Sequence, residues 1–507
     1  MTYVIGVDVG TQSARAGVFD AQGRMLGSAR QGLRIHHPQA GWAEQSSADI
    51  WGAICASVRG AMAQAGVDPA RVTGIGFDAT CSLVLTDAQG APLPLSGDWD
   101  VILWMDQRAT EQAARANATG ARPLAYVGGT MSPEMEMPKL MWLKAHRHDL
   151  WARMGAAFDL ADWLTWKASG SNERSACTLT CKWGYLPDQT PAWDGDFLAA
   201  IDLTDLQART KVPDRAVDIG TDLGPLTAKA AADLGLPTAV RVAAGIIDAH
   251  AGALAVLGAA PAPDTLALIA GTSNCHMALH PQAQAVPGVW GPYLGAVLPG
   301  LWLNEGGQTA TGAALDHLVA SHAGAAAFGP DVHGRVQAAI LDRMADGDPA
   351  PDLHVLPDFL GNRSPHADPD RRAIIAGLTF DDPPEQFLRL YWATATGIAH
   401  GTRAIIDRLN AADYAITRLI LCGGHAKSPL LARLYADATG CTVLIPDADE
   451  PVLLGAAVTA LMAVGGAQAA LAGIRDQIAP DPAWQAIHAR RWAAYQRLDR
   501  LAGELAG

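Results

Sequence analysis

The chain has 507 residues, of which 50% are hydrophobic and 17% charged, enough for a large core and incompatible with a disordered chain. A net charge of −14 argues against nucleic acid and anionic membrane surfaces as partners, although local backbone nests still hold phosphates. Mean hydropathy is only +0.10, and no apolar stretch reaches bilayer-spanning length. The length implies two large domains. A first strand opening at Tyr3 leaves no room for a signal peptide. Seven scattered cysteines without a CxxC pair fit reduced thiols in the cytoplasm and speak against a structural zinc site. Cys177 and Cys181, four apart, read as buried thiols on one helix face.

In chain order, the apolar run 3–7 predicts a buried strand that breaks at Asp8-Val9-Gly10-Thr11. An alternating run over 14–19 follows at hairpin distance, and a third strand-like piece comes next. Ser46 with Asp49 three residues later marks a helix start, and Ile50, Ile54, Val58 and Met62 supply its apolar stripe. Residues 72–77 read as a strand that delivers Asp78-Ala79-Thr80-Cys81-Ser82 at its C-terminal end, where α/β sheets gather ligand residues. Residues 83–87 continue as strand into a turn at Gln89-Gly90. The middle of the chain, 100–240, is helical and tryptophan-rich, with Pro138 in a helix first turn. Residues 240–244 form a strand, Gly245 a turn, and Asp248 opens a helix. A second hairpin is predicted over 265–279 with Gly271-Thr272-Ser273-Asn274 at its tip. Strand 419–422 leads through Gly423 and Gly424 into a helix from Leu430; after strand 442–445, residues 446–452 read as loop before a helix at Leu453. The alanine-rich stretches 323–327 and 463–470 read as closely packed helices.

Chemistry concentrates at four places. Asp8, Gly10, Thr11, Ser13 and Arg15 share one tight turn, where glycine admits close ligand approach and successive amides form an anion nest. An acid beside such a nest suggests a metal–nucleotide site, since Mg²⁺ takes oxygen ligands; an ordinary Asx-type hairpin is the competing reading. Gly271, Thr272 and Ser273 echo that tip. Gly423, Gly424 and Ser428, between a strand and a helix N-terminus, form an anion cradle without the Walker lysine. Asp248 reads either as a helix N-cap or as a functional acid. His250, His276 and His425 lack ligand spacing and read as structural.

Taken together in order, Asp8 to Arg15, Gly41-Trp42-Ala43-Glu44-Gln45, Pro138-Lys139-Leu140-Met141-Trp142-Leu143, Gly245-Ile246-Ile247-Asp248, and Gly423-Gly424 followed by Leu454-Gly455-Ala456-Ala457 resemble the FGGY family of carbohydrate kinases from Val4 to about Gly465. The block at Pro138 departs from the usual signature at Glu136 and Met137. The resemblance implies an α/β fold of two ribonuclease-H-like domains of the actin and sugar-kinase type, 1–255 and 256–507, around a central cleft. It implies transfer of the ATP γ-phosphate to a sugar hydroxyl, with Mg²⁺ held at Asp8 and Asp248 as catalytic base. Arg15 would stabilise transition-state charge or stand as a surface arginine. Both Gly-Thr hairpins would face phosphates, and Gly423, Gly424 and Ser428 the adenosine and α-phosphate.

Within the family the chain looks most like the ribulokinases, above all the D-ribulokinase branch, through residues 77–82, 104–109, 180–185 and 304–308. That likeness implies ketose contacts from Lys182 and Glu305, with Asp78, Ala79, Thr80, Asp106, Arg108 and Asp248 on the sugar side and Trp104 and Trp183 against its apolar face. D-ribulose is the expected acceptor, with L-ribulose, xylulose, a pentitol or a heptulose as alternatives. A non-catalytic sugar-responsive binding protein and an actin-like ATPase are the readings from other classes. A small-molecule sugar is the expected partner, and a homodimer is left open.

Overall fold

The computed structural model describes residues 2–258, 261–466 and 472–506. Two twisted sheets, each with helices on its faces, form the two domains. In the first, strand order is Met25–Gly32, Ser13–Asp20, Tyr3–Val9, Val72–Ala79, Arg241–Ala243 and Asp222–Pro225. Tyr3–Val9 runs antiparallel to Ser13–Asp20 and parallel to Val72–Ala79, in a register that sets Asp8 opposite both Arg15 and Asp78. Ile246–Ile247 extends the sheet beside Asp78 and Ala79. Both faces are covered, so Tyr3–Val9 is buried at every position, as its unbroken apolar run requires.

The second sheet repeats the plan: Trp290–Leu294, Trp302–Gln308, Asn274–His280, Thr265–Ala270, Arg418–Cys422, Thr442–Pro446 and Ile474–Ile478. Its hairpin Thr265–Ala270 to Asn274–His280 matches the expected second hairpin. A smaller sheet of Glu44–Gln45, Val101–Ile102, Leu83–Asp87 and Met154–Asp159 sits beside the first.

Local signals explain most element ends. Ser46 caps helix Ser47–Ala65 by accepting the Asp49 N–H, and Ile50, Ile54 and Val58 bury its core face. Pro138 lies in the first turn of helix Glu136–His146. Two boundaries differ from expectation. Helix Pro451–Ala463 starts two residues early, because proline at the first helical position has its φ already set and needs no donor. Residues 323–327 form a 3₁₀ turn, Ala323–Phe328, rather than an α-helix. The helix expected over 463–470 falls largely on 467–471, outside the described residues; the described helix ends at Ala463.

Two helices separate the sheets. Asp248–Leu257 and Pro451–Ala463 approach so closely that a Cβ on Gly455 would collide with the Ala251 carbonyl oxygen. Pro451–Ala463, which belongs late in the chain, lies on the first sheet, where a Cβ on Gly76 would strike the Ala456 carbonyl. Among the described residues no helix is long and apolar enough to cross a membrane.

Candidate active site

Three carboxylates meet where neighbouring parallel strands end. Asp8 closes one strand, Asp78 stands beside it in register, and Asp248 follows Ile246–Ile247, which pairs with Asp78 and Ala79. Burial pushes the Asp78 carboxyl well above its ordinary range, and the charges of Asp8 and Asp248 push it further. Neither Asp78 oxygen has a hydrogen-bond partner. Burial and then Asp8 raise Asp248 to about 6. Asp248 is not the N-cap: Ile247 holds that position, and Asp248 is the first helical residue, its Oδ1 accepting the Ala249 N–H at 2.7 Å.

The first hairpin closes with the Gly10 N–H donating to the Ser13 carbonyl at 3.1 Å. Thr11 Oγ1 accepts from Trp104 Nε1 at 3.0 Å, and Ser13 is buried in the strand that follows. Arg15 is no isolated surface arginine: its guanidinium donates to Asp8 and, from NH1, to Glu450 Oε2 at 2.7 Å. It thereby ties the first sheet to the loop before helix Pro451–Ala463.

The second hairpin tip is sewn to the start of helix Gly312–Ser321. The Gly271 carbonyl accepts from Gly312 N–H at 3.0 Å and from Thr311 Oγ1 at 3.1 Å; the Thr272 carbonyl accepts the Thr311 N–H at 3.0 Å. Thr311 and Asn274, joined at 2.8 Å, brace this tip, with Ser273 at its outer corner. Open space faces Gly271 and Gly424, so a ligand can approach the backbone there. Gly423 needs to be glycine twice over, with φ at 83° and a Cβ position filled by the Ala270 carbonyl. Ser428 does something other than line the cradle. Its Oγ caps helix Pro429–Thr439 by accepting the Leu431 N–H at 3.1 Å, and it donates to Gln337 Oε1 at 2.6 Å.

This geometry, two Gly-Thr hairpins on two sheets with an acid trio at the strand ends, accompanies a family match over most of the chain. Residues 3–255 match the N-terminal domain and residues 266–464 the C-terminal domain of the FGGY family of carbohydrate kinases. The chain belongs to the FGGY family of carbohydrate kinases. It is an ATP-dependent sugar phosphotransferase of that family. It is 43% identical to the FGGY carbohydrate kinase domain-containing protein of Homo sapiens, over 91% of this chain and 89% of the relative. It is 36% identical to a D-ribulokinase of Saccharomyces cerevisiae, over 90% of this chain and 71% of the relative. Its fold matches a xylulose kinase from Rhodospirillum rubrum with a TM-score of 0.82 at 24% identity, covering 99% of each chain.

On the other side of this FGGY kinase's cleft, Lys182 ends helix Ala176–Lys182 and sets its Nζ 4.4 Å from the centre of the Trp290 ring. Glu305 faces it from the second sheet. Burial alone would raise the Glu305 carboxyl, but the His250 hydrogen bond at 3.2 Å and the Lys182 charge outweigh it and hold the group at about 2. Arg363 was not singled out in the sequence. Its guanidinium is 5.1 Å from the Trp290 ring and 6.0 Å from the Trp104 ring, and it pairs with Glu134 at 3.3 Å. Arg363 sits in a loop with no periodicity, and Trp290 is one of 15 tryptophans, so neither carries a local signal.

Thr80 reaches this region: its N–H donates to the Val9 carbonyl at 3.0 Å, its hydroxyl lies 3.1 Å from Ser82 Oγ, and Ala79 before it is buried in the strand. Asp106 and Arg108 do not offer free groups to a sugar. Asp106 Oδ1 accepts from Arg108 Nε at 2.8 Å, its Oδ2 from Ala43 N–H at 2.7 Å, and Arg108 NH2 donates to Glu44 Oε1 at 2.8 Å. The rings of Trp42 and Trp142 close over the guanidinium at 4.1 and 5.0 Å. The pair is a buried brace. Trp183 is fully buried in the core, whereas Trp104 remains half-buried at the cleft. His276 and His425 bond Thr402 and Tyr435 at 2.9 Å each, as structural histidines do.

Proposed function

We propose that this FGGY kinase phosphorylates a ketopentose, D-ribulose foremost, giving D-ribulose 5-phosphate. The observation that carries the substrate class is the facing pair Lys182 and Glu305, one from each side of the cleft, both charged and buried against Trp290 and Arg363. A polyhydroxylated ketose offers such groups several simultaneous hydrogen bonds, and a site built for them rejects analogues that leave one unmet. The relationship to D-ribulokinase and ribulokinases supports the same choice.

Asp248 serves as the base. Phosphoryl transfer relies on positioning and charge stabilisation, and a half-buried carboxylate near 6 stays ionised at neutral pH while accepting the hydroxyl proton readily. The open backbone at Gly271 and the Thr272 amide beside it would take the terminal phosphate of ATP, and Gly424 leaves backbone room for its nucleoside end. Arg15 holds Asp8 in place and links it to the opposite domain. The orphaned oxygens of Asp78 beside Asp8 suit a divalent cation with oxygen ligands, so Asp8 and Asp78 would hold Mg²⁺. Bound there, Mg²⁺ neutralises charge on the phosphate oxygens. The domains divide near residue 255, in the last turn of helix Asp248–Leu257.

The test is ADP release with Mg-ATP against D- and L-ribulose, D- and L-xylulose, ribitol, D-arabitol, glycerol and sedoheptulose. A strong preference for D-ribulose is expected. Preference for another sugar moves the specificity, and silence across the panel overturns the proposal.

A further inference from the structure

Beneath the sugar side of the cleft, two thiols and an imidazole converge. Cys177 and Cys181 lie one turn apart on helix Ala176–Lys182, and His250 lies on helix Asp248–Leu257; all three are buried. His250 Nδ1 is 3.1 Å from Cys177 Sγ and 4.0 Å from Cys181 Sγ. The three donor atoms all lie within 4.8 Å of one another. A tetrahedral zinc ion with sulfur at about 2.3 Å and nitrogen at about 2.0 Å separates its ligand atoms by about 3.5–3.8 Å, so the two imidazole–sulfur distances need adjustments of about half an ångström and the sulfur pair one of at most about 1 Å.

The surroundings are those of a ligand set. The other ring nitrogen, Nε2, lies 3.2 Å from Glu305 Oε2, which is the carboxylate support that metal-bound histidines use to fix their tautomer. The Ile247 N–H donates to Cys177 Sγ at 3.4 Å, a contact that favours a thiolate. Two thiolates and one imidazole are soft ligands, suited to Zn²⁺ and not to Mg²⁺. Sequence spacing hid the site, because the histidine comes 69 residues after Cys181 and stands alone, without a second ligand at zinc-finger spacing.

We propose that Cys177, Cys181 and His250 bind a zinc-type cation with three protein ligands and a fourth position left to water. Each thiol releases its proton to solvent as the metal binds. With Nδ1 on the metal, the His250 proton resides on Nε2 and donates to Glu305. Lys182 directly follows one ligand, and Asp248 precedes another by two residues. The ion therefore pins the two helix segments that carry Lys182 and Asp248. Its coupling to sugar affinity rests on the ketose-kinase reading above; its binding does not.

Two measurements separate these parts. Protein purified without chelator from zinc-supplemented culture is analysed for metal, and protein produced with Co²⁺ is examined for thiolate-to-cobalt charge-transfer absorption. About one zinc per chain and a sulfur-to-cobalt band are expected, both lost in the Cys177→Ser/Cys181→Ser variant. Trace zinc, a cobalt spectrum without sulfur character, or unchanged zinc in the double variant overturns the site. If the double variant misfolds, the cobalt spectrum of the wild-type protein decides. For the coupling, metal-free enzyme should show a sugar KM raised severalfold with an unchanged ATP KM; equal sugar KM values with and without zinc overturn the coupling while leaving the site. A kinase of different specificity leaves the metal analysis unaffected.

Discussion

Asp8 and Asp78 stand side by side on adjacent parallel strands, and neither oxygen of Asp78 has a hydrogen-bond partner. Arg15 pairs with Asp8 but not with Asp78, and two buried carboxylates this close cannot both stay ionised without a further cation or a shared proton. Mg²⁺ should therefore stabilise the fold even without nucleotide. At a concentration 100 times its dissociation constant, the gain is about 2.7 kcal/mol. Melting curves with Mg²⁺ and with EDTA should differ for the wild type and coincide for Asp78→Asn; an equal Mg²⁺ shift in the variant would place the ion elsewhere.

Asp248 is the first residue of its helix, and its ionised form is the one that accepts a proton. Asp248→Asn is nearly isosteric and should lower turnover by at least roughly 100-fold. Nucleotide affinity, measured by calorimetry, should survive. Near-normal turnover in this variant would remove Asp248 from the base role.

Arg108 is enclosed by Asp106, Glu44 and two tryptophan rings. Arg108→Ala leaves buried carboxylates unpaired and should cost about 3–5 kcal/mol of stability in denaturant unfolding. The folded fraction should keep its sugar KM. A raised sugar KM with unchanged stability would return Arg108 to the substrate.

A pH effect on stability arises far from the cleft. His400 on helix Pro383–Asn410 and His488 on helix Pro482–Ala506 meet at 3.3 Å. Burial comes first in holding His488 down at about 3 and His400 well below its ordinary value; Arg491 and Arg403 add to this, while Asp348 opposes it at His488. Tyr495 and Trp492 close against the His400 ring, and His354 adds a further opposing charge when protonated. The unfolded chain binds protons near 6.5 that the folded pair refuses. The pair's contribution is therefore complete above 6.5 and is lost as pH falls below it, by an amount on the order of a few kcal/mol. Unfolding free energies between pH 7 and 5 should fall less steeply in His488→Gln than in the wild type, and parallel slopes would refute the assignment. The comparison separates the pair from Asp248, which titrates over the same range with the opposite sign.

How far the site was legible depended on how local its logic is. Asp8 and Asp78 each end an apolar run, so the pattern placed them at strand termini; Asp248 was placed at a helix start, and the repeat of Gly-Thr tips marked both hairpins. Asp106 and Arg108 misled because their charge is visible and their enclosure is not: Glu44, which completes the brace, lies 64 residues before Arg108. Ser428 misled in a different way, since a serine before a proline-led helix serves as a cap and as a ligand with the same residue type. Arg363 and Glu134 meet across 229 residues in irregular segments, where periodicity carries no information.

Helix Pro451–Ala463 has a consequence for how the gene can be divided. It is encoded almost 200 residues after helix Asp248–Leu257, yet it roofs the sheet formed by the first residues, seated in grooves that Gly6, Gly17, Gly74 and Gly76 leave open. A fragment ending at residue 255 would synthesise a complete set of strands and no lid for them. Truncation products of this kinase should thus be insoluble as separate pieces and recover only when co-expressed, the late helix acting as the missing part that the early half was shaped to receive.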